Sequence, residues 1–183
     1  MATETMKKIK WNLDTTHSEI GFKVKHMMIT NVSGSFGKFD VNVETEDRDF
    51  TTANIVFTAQ TDSITTGSAD RDNHLKSGDF FDVSQYPELR FVSTSMTKKD
   101  KETYELTGEL TIRDITRPVK FTVEHGGIGK DPWGNEKAGF TLAGKINRTD
   151  FNLNWNAALE TGGVLVSEEV KLFAEVQLVK AGD

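Results

Sequence analysis

The sequence predicts an all-β, antiparallel fold with one short helical insertion, and three observations carry that prediction. Apolar and polar residues alternate with a period of two through most of the chain. Turn-forming stretches separate the alternating runs, so successive strands should pair antiparallel. One region only, residues 62–87, breaks the alternation.

Taken in order, residues 1–8 read as a polar N-terminal tail and residues 9–180 as a single domain. Trp11 and Leu13 begin the first strand. Residues 14–18 form a turn, in which Asp14 and Ser18 are better read as backbone caps than as a triad with His17. Beyond it, Ile20, Phe22, Val24, His26 and Met28 fall on one face, with Glu19, Gly21, Lys23 and Lys25 opposite. His26 is a titratable ring in an apolar row. It is either a hydrogen-bonded core group or a polar group set into a pocket.

Apolar parity is even at Val32 and Phe36 and odd at Phe39, Val41 and Val43, which predicts a β-bulge beside Gly37. A charged turn, 44–49, precedes the strand of Ala53, Ile55, Phe57 and Ala59. In the interruption, Ser68 caps a short helix over 69–76 with Gly78 as its stop. An apolar run, 79–83, follows it. Alternation resumes at Leu89 and Phe91 and continues through Tyr104 to Ile112, Val119 to His125, Ala138 to Ile146 and Val166 to Leu178. The stretch Gly126-Gly127-Ile128-Gly129 reads as a flexible turn, since no helix follows to make it a phosphate cradle. Eight or nine strands, each with one apolar face, need a closed barrel or two stacked sheets, and periodicity does not choose between them.

Composition narrows the function. The 183 residues suffice for one domain with a substantial core. A net charge of −6 repels phosphate backbones, so nucleic acid is not an expected partner, and it gives no broad attraction to anionic membranes. The chain has no cysteine, which excludes thiolate chemistry. There is no apolar leader and no stretch long enough to span a bilayer. The expectation is a cytoplasmic chain without stable membrane insertion, or a periplasmic one if the sequence is a trimmed mature form. His17, His26, His74 and His125 show no metal-ligand spacing, and no G-x-S-x-G elbow is present. No catalytic residue, metal ligand or cofactor is therefore assigned. The segment 71–76 concentrates polar donors, either as a solvated helix face or as a headgroup contact at a cavity rim.

Several stretches together resemble one family. Asp14-Thr15-Thr16-His17-Ser18-Glu19-Ile20-Gly21-Phe22 with His26, then Val32-Ser33-Gly34-Ser35-Phe36, resemble the opening of the YceI-like polyisoprenoid-binding proteins. So do Asp62-Ser63-Ile64-Thr65-Thr66-Gly67, the run from Arg71 to Asp82, Tyr86-Pro87-Glu88-Leu89-Arg90-Phe91 and the run from Gly108 to Val119. Arg148-Thr149-Asp150-Phe151 and Val166-Ser167-Glu168-Glu169-Val170 complete the order. The resemblance implies an extended, antiparallel, eight-stranded lipocalin-like β-barrel of bacterial type, with an apolar channel for a prenyl or fatty chain and a tendency to homodimerise. Two departures stand out. Many members carry an export signal, and none is expected here unless the sequence is a trimmed mature form; Asn152 stands where the family commonly has glycine.

The expected function is non-covalent binding, storage or transport of a long-chain isoprenoid or fatty-acid-type lipid, and not catalysis. Each buried methylene contributes about 0.8 kcal/mol, so a long tail binds tightly without chemistry. The expected wall is Phe22, Val24, Phe57, Phe91, Leu110, Phe121 and Phe140, and the expected headgroup contacts are His26, Arg71 and His74. The alternatives are an enzyme acting on the enclosed lipid with His26 or His74 as base, and a structural or stress-response module packed solid by its own side chains.

Overall fold

The computed structural model describes residues 7–157, 159 and 164–182. It contains eleven strand segments: β1 (Lys8–Leu13), β2 (Glu19–His26), β3 (Thr30–Phe36), β4 (Phe39–Glu46), β5 (Asp49–Gln60), β6 (Ile64–Thr65), β7 (Glu88–Lys98), β8 (Thr103–Ile112), β9 (Ile115–Lys130), β10 (Glu136–Asn147) and β11 (Val166–Lys180). The helix α1 (Ala69–Lys76) follows β6. Every pairing is antiparallel.

The eleven segments make eight barrel strands, because three of those strands are broken in two. β1 and β2 both pair with β11, at Lys180 to Leu178 and at Glu175 to Val166 respectively. β4 pairs with β1 and β5, while β3 pairs with β2 and β6. The remaining strands follow one another as β5-β7-β8-β9-β10-β11, and β11 returns to β1 to close the ring. Closure removes free edges, which an open sheet of this length would expose. The first strand begins at Lys8, one residue inside the expected tail.

The breaks have local causes. Asp14 caps the turn between β1 and β2: its carboxylate accepts from the Thr16 N–H at 3.2 Å and from the Thr16 hydroxyl at 2.8 Å. The capping reading holds for Asp14; the Ser18 hydroxyl instead accepts from the Gln177 N–H of β11 at 3.0 Å, and His17 pairs with Asp14 at 2.9 Å. The expected bulge at Gly37 is instead an interruption of the ladder. The Gly37 N–H leaves the sheet to donate to the Ser63 carbonyl at 3.1 Å, and the strand resumes two residues later with its parity changed. Ser68 caps α1 as expected, but the helix ends at Ser77 in extended backbone. Gly78 needs no left-handed conformation there, because the Ser77 hydroxyl donates to the His74 carbonyl at 2.6 Å and satisfies the last turn. Gly126 to Gly129 are not a turn. They extend β9 to Lys130, paired with Glu136 to Gly139 of β10 across a register shift at Gly139/Phe140.

Met28, placed by alternation on the inner face of β2, does not reach it. The strand stops at His26, and Met27 and Met28 turn the chain with φ of 53° and 65°. Asn152 explains itself in the same way: its φ of 63° and ψ of 22° are left-handed, a conformation that asparagine tolerates better than most residues. A glycine at this position would meet the same backbone requirement.

The inner face is apolar and the outer face is charged. Ile9, Trp11, Val41, Val43, Leu106, Leu110, Val123, Ala138 and Leu178 are buried, while Lys23, Lys145, Lys171 and Glu175 on neighbouring outer rows are exposed. This is the reverse of a barrel that spans a membrane, whose apolar band faces outward. Among the described residues no helix is long and apolar enough to cross a membrane.

One end of the barrel is tied together electrostatically. Lys137 on β10 donates to Asp14 at 2.8 Å, and His17 lies 2.9 Å from the same carboxylate oxygen. Hydrogen bonding from Lys137, then from His17, holds the Asp14 carboxyl well below the usual carboxylate range, against the opposing cost of burial. A depressed folded-state pKa contributes stability above the unfolded value near 4 and loses it as pH falls below that. Asp14→Asn should therefore destabilise the fold by about 2 kcal/mol at neutral pH. Urea unfolding should show the gap between variant and parent shrinking at pH 3; a gap that stays constant would refute the ion-pair account.

Candidate functional site

The centre of the barrel is a cavity of about 530 Å³. At one end it is shut by aromatic packing. Phe50 lies 5.3 Å from Trp11, 5.2 Å from His125 and 4.8 Å from Phe140, and His125 stacks on Phe140 at 4.5 Å with an interplanar angle of 12°. At the other end the lining includes Asp70 and Arg71 of α1, both exposed, so the cavity meets solvent beside the helix.

All ten residues singled out in the sequence line this one cavity. Phe22, Val24, Phe57, Phe91, Leu110, Phe121 and Phe140 stand on its wall, with Phe140 doubling as part of the aromatic plug. His26, Arg71 and His74 stand at the α1 end with Thr66, Asp70 and Arg148, and these six are the polar members of the lining. His26 is not the hydrogen-bonded core histidine of the alternative reading: it is half-buried on the cavity wall, and among the described residues its ring has no hydrogen-bond partner. His74 pairs with Asp79 at 2.9 Å and sits edge-on to Trp155 at 4.6 Å. Arg71 is turned toward the backbone of its own loop, donating to the Thr66 hydroxyl at 2.7 Å and to the Thr66 carbonyl at 2.8 Å. Asp72 in turn accepts from the Thr66 hydroxyl, which with the Thr66 N–H keeps its carboxyl below the usual range.

The wall phenylalanines do not fill the barrel. A methyl group added at Gly34 would overlap the Phe22 ring, one at Gly108 would overlap Phe91, and one at Gly144 would overlap Phe121. Each ring thus lies along the wall across a glycine of the neighbouring strand, and does not project toward the axis. Glycine on the inner row is what lets a large side chain cover the sheet and leave the centre open.

A sequence model of the YceI-like domain matches residues 11–178, nearly the whole of this barrel. The chain belongs to the YceI-like family. A UPF0312 protein of Staphylococcus aureus strain MSSA476 is 40% identical to this YceI-like chain over 168 residues, covering 91% of it and 95% of the relative. Among solved structures, the YceI protein of Campylobacter jejuni is 31% identical, covers all of both chains and superposes with a TM-score of 0.75. A polyisoprenoid binding domain from Saccharophagus degradans shares the fold at a TM-score of 0.61 and 11% identity, over 93% of this chain and 98% of that one.

The YceI-like barrel also uses a residue that alternation could not point to. Arg148 is 3% exposed at the end of β10. Its guanidinium donates to the carbonyls of Ser167 at 2.8 Å, Trp155 at 2.9 Å, Val166 at 3.1 Å and to that of Leu153. No carboxylate lies within ion-pairing distance of it among the described residues, and burial lowers its pKa from the usual guanidinium value. The cues in the sequence are a cation immediately after an apolar strand and its place at the head of the Arg148-Thr149-Asp150-Phe151 motif, neither of which points to a buried guanidinium. Leu75 on α1, Phe80 and Phe81 just after it, and Trp155 complete the α1 end of the lining. The last three come from irregular stretches, where periodicity carries no information.

Proposed function

We propose that this YceI-like protein binds a long-chain isoprenoid or fatty-acid-type lipid non-covalently in the barrel, as a carrier or store. One observation carries the reading: a central cavity whose wall is apolar along its length and whose polar side chains gather at the solvent end. Its volume of about 530 Å³ lies within the range of ligand sites, roughly 300–1,000 Å³. The tail would lie along Phe22, Val24, Phe57, Phe91, Leu110, Phe121 and Phe140, and its polar end would sit near His26, Arg71 and His74. Support also comes from the fold neighbour in Saccharophagus degradans, described as a polyisoprenoid binding domain. The open centre counts against a module packed solid. The catalytic alternative has less support: Asp79 orients His74 as it would a base, but the Thr66 hydroxyl in the lining is already held by Asp72 and Arg71, and no group of three or more metal-ligating side chains occurs among the described residues.

Native mass spectrometry of protein purified without detergent, before and after incubation with a prenyl alcohol, tests the proposal. Retention of one lipid per chain, recovered unchanged, is the expected result. A chain that neither carries lipid nor takes up the alcohol would overturn it, and conversion of the alcohol would favour the enzyme. The homodimer belongs to the same proposal and would register as twice the 20.4 kDa chain mass.

A further inference from the structure

The turn between β2 and β3 is built against the usual preference. Its two left-handed positions, at Met27 and Met28, are ones where glycine or asparagine is favoured. The chain instead places Met27, Met28 and Ile29 there in succession, 45%, 51% and 76% exposed. Three consecutive large apolar side chains on a hairpin tip, the first two at left-handed backbone positions, are not explained by folding. The tip is also attached to the open end of the cavity. His26, which precedes it, and Leu165, whose carbonyl accepts from the Met27 N–H at 2.8 Å, both line the cavity.

A second observation lies on the outer wall above the tip. Lys145 on β10, Lys171 on β11 and Lys23 on β2 are directly opposite one another across three adjacent strands. Like charges in register are destabilising, and a chain with six excess negative charges has acidic residues to spare for relieving them. None of the three forms an ion pair among the described residues, nor does Lys25 on the same face of β2; Lys23 rests over the Phe173 ring at 5.7 Å. Lys25 lies one residue from the end of its strand and Lys23 three residues, about 10 Å, which is about one Debye length at 0.1 M salt, so the row adds to the attraction chiefly at low ionic strength. Asp70, Glu168 and Glu169 near the same end oppose this attraction, so it is local and sensitive to salt.

We propose that this end of the barrel docks on an anionic phospholipid bilayer, with the 27–29 tip in the headgroup–acyl layer and the lysine row against the headgroups. Docking so places the cavity opening on the membrane surface. A lipid tail could then pass between bilayer and barrel without crossing water, a consequence that rests on the carrier reading; the docking itself does not.

Sedimentation with vesicles tests the docking. The full chain should bind phosphatidylcholine vesicles containing about a third phosphatidylglycerol, and bind them less as salt is raised. The triple variant Met27→Asn, Met28→Gly, Ile29→Ser should bind about tenfold more weakly or not at all. Its new residues suit the left-handed turn, so its Tm should equal or exceed the parent's and loss of binding cannot be ascribed to unfolding. Replacing Lys23, Lys25, Lys145 and Lys171 together by glutamine should abolish the preference for anionic over neutral vesicles. Absence of vesicle binding by the parent, or equal binding by the tip variant, overturns the proposal. A tip variant that changes only self-association also overturns it. Prenyl alcohol uptake, read separately by native mass spectrometry, keeps the two readings apart. A parent chain that takes up the alcohol but binds no vesicles refutes this inference alone, and a parent chain that binds vesicles but takes up no alcohol refutes the carrier alone.

Discussion

Arg148→Met should lower the stability of the barrel by about 3–5 kcal/mol, among the largest losses that one substitution can cause here. The wild-type guanidinium donates to four backbone carbonyls, two in the stretch after β10 and two at the start of β11. Methionine fills much of the same volume but donates nothing, which leaves the carbonyls of Leu153, Trp155 and Ser167 without this donor, while that of Val166 keeps the Asn156 amide at 2.7 Å; each buried acceptor so stranded costs about 1–3 kcal/mol. Removing a buried cation recovers some desolvation free energy, which keeps the total below the sum of the three. Arg148→Lys should recover only part of the loss, because an ammonium cannot span acceptors that a planar guanidinium reaches in a fork. Urea unfolding gives the magnitude. Hydrogen exchange should locate it, with amides of residues 153–157 and 165–167 losing protection while β7 and β8 keep theirs. A variant within 1 kcal/mol of the parent would show that water satisfies these carbonyls instead.

The glycines of the inner wall should separate stability from capacity. At Gly108 an added methyl group meets the Phe91 ring and the backbone carbonyl of Val92, and the carbonyl cannot move without breaking the β7–β8 ladder. Gly108→Ala should therefore cost about 3 kcal/mol. At Gly34 the overlapping atoms belong to the tip of the Phe22 ring. That ring is able to swing away from the wall, and the space available to it is the cavity. Gly34→Ala should cost about 1 kcal/mol, yet weaken prenyl alcohol binding about tenfold because the ring then occupies the room of one or two methylene groups. Thermal unfolding and competitive binding on the same two variants measure both effects. If Gly34→Ala leaves affinity unchanged, Phe22 does not border the bound tail.

The strands could be read from the chain because a two-residue alternation is a local property. Each of Phe22, Phe57, Phe91, Leu110, Phe121 and Phe140 lies on the inner row of a strand with an apolar face, and a single closed core gives all such rows one destination. The Ser68 cap and the helix over Ala69–Lys76 were legible for the same reason, since a cap acts within one turn. The errors fell where the decisive partner is remote. Gly126 to Gly129 have turn composition but are held extended by β10, and Gly37 leaves its ladder for Ser63, twenty-six residues on. Met28 fits the alternation and is expelled from it because β2 runs out of partner at Val166 and Thr30.

Composition and periodicity by themselves determined an antiparallel all-β chain with an inner apolar face and a helical interruption, and the ordered motifs determined the YceI-like family. Only the tertiary structure decided that the barrel is hollow. That property depends on which residue faces which across strands far apart in sequence, phenylalanine against glycine at Phe22 and Gly34 and again at Phe121 and Gly144. It also decided which end is open, because an aromatic stack from Trp11, Phe50, His125 and Phe140 shuts the other, and no local pattern brings those four rings together.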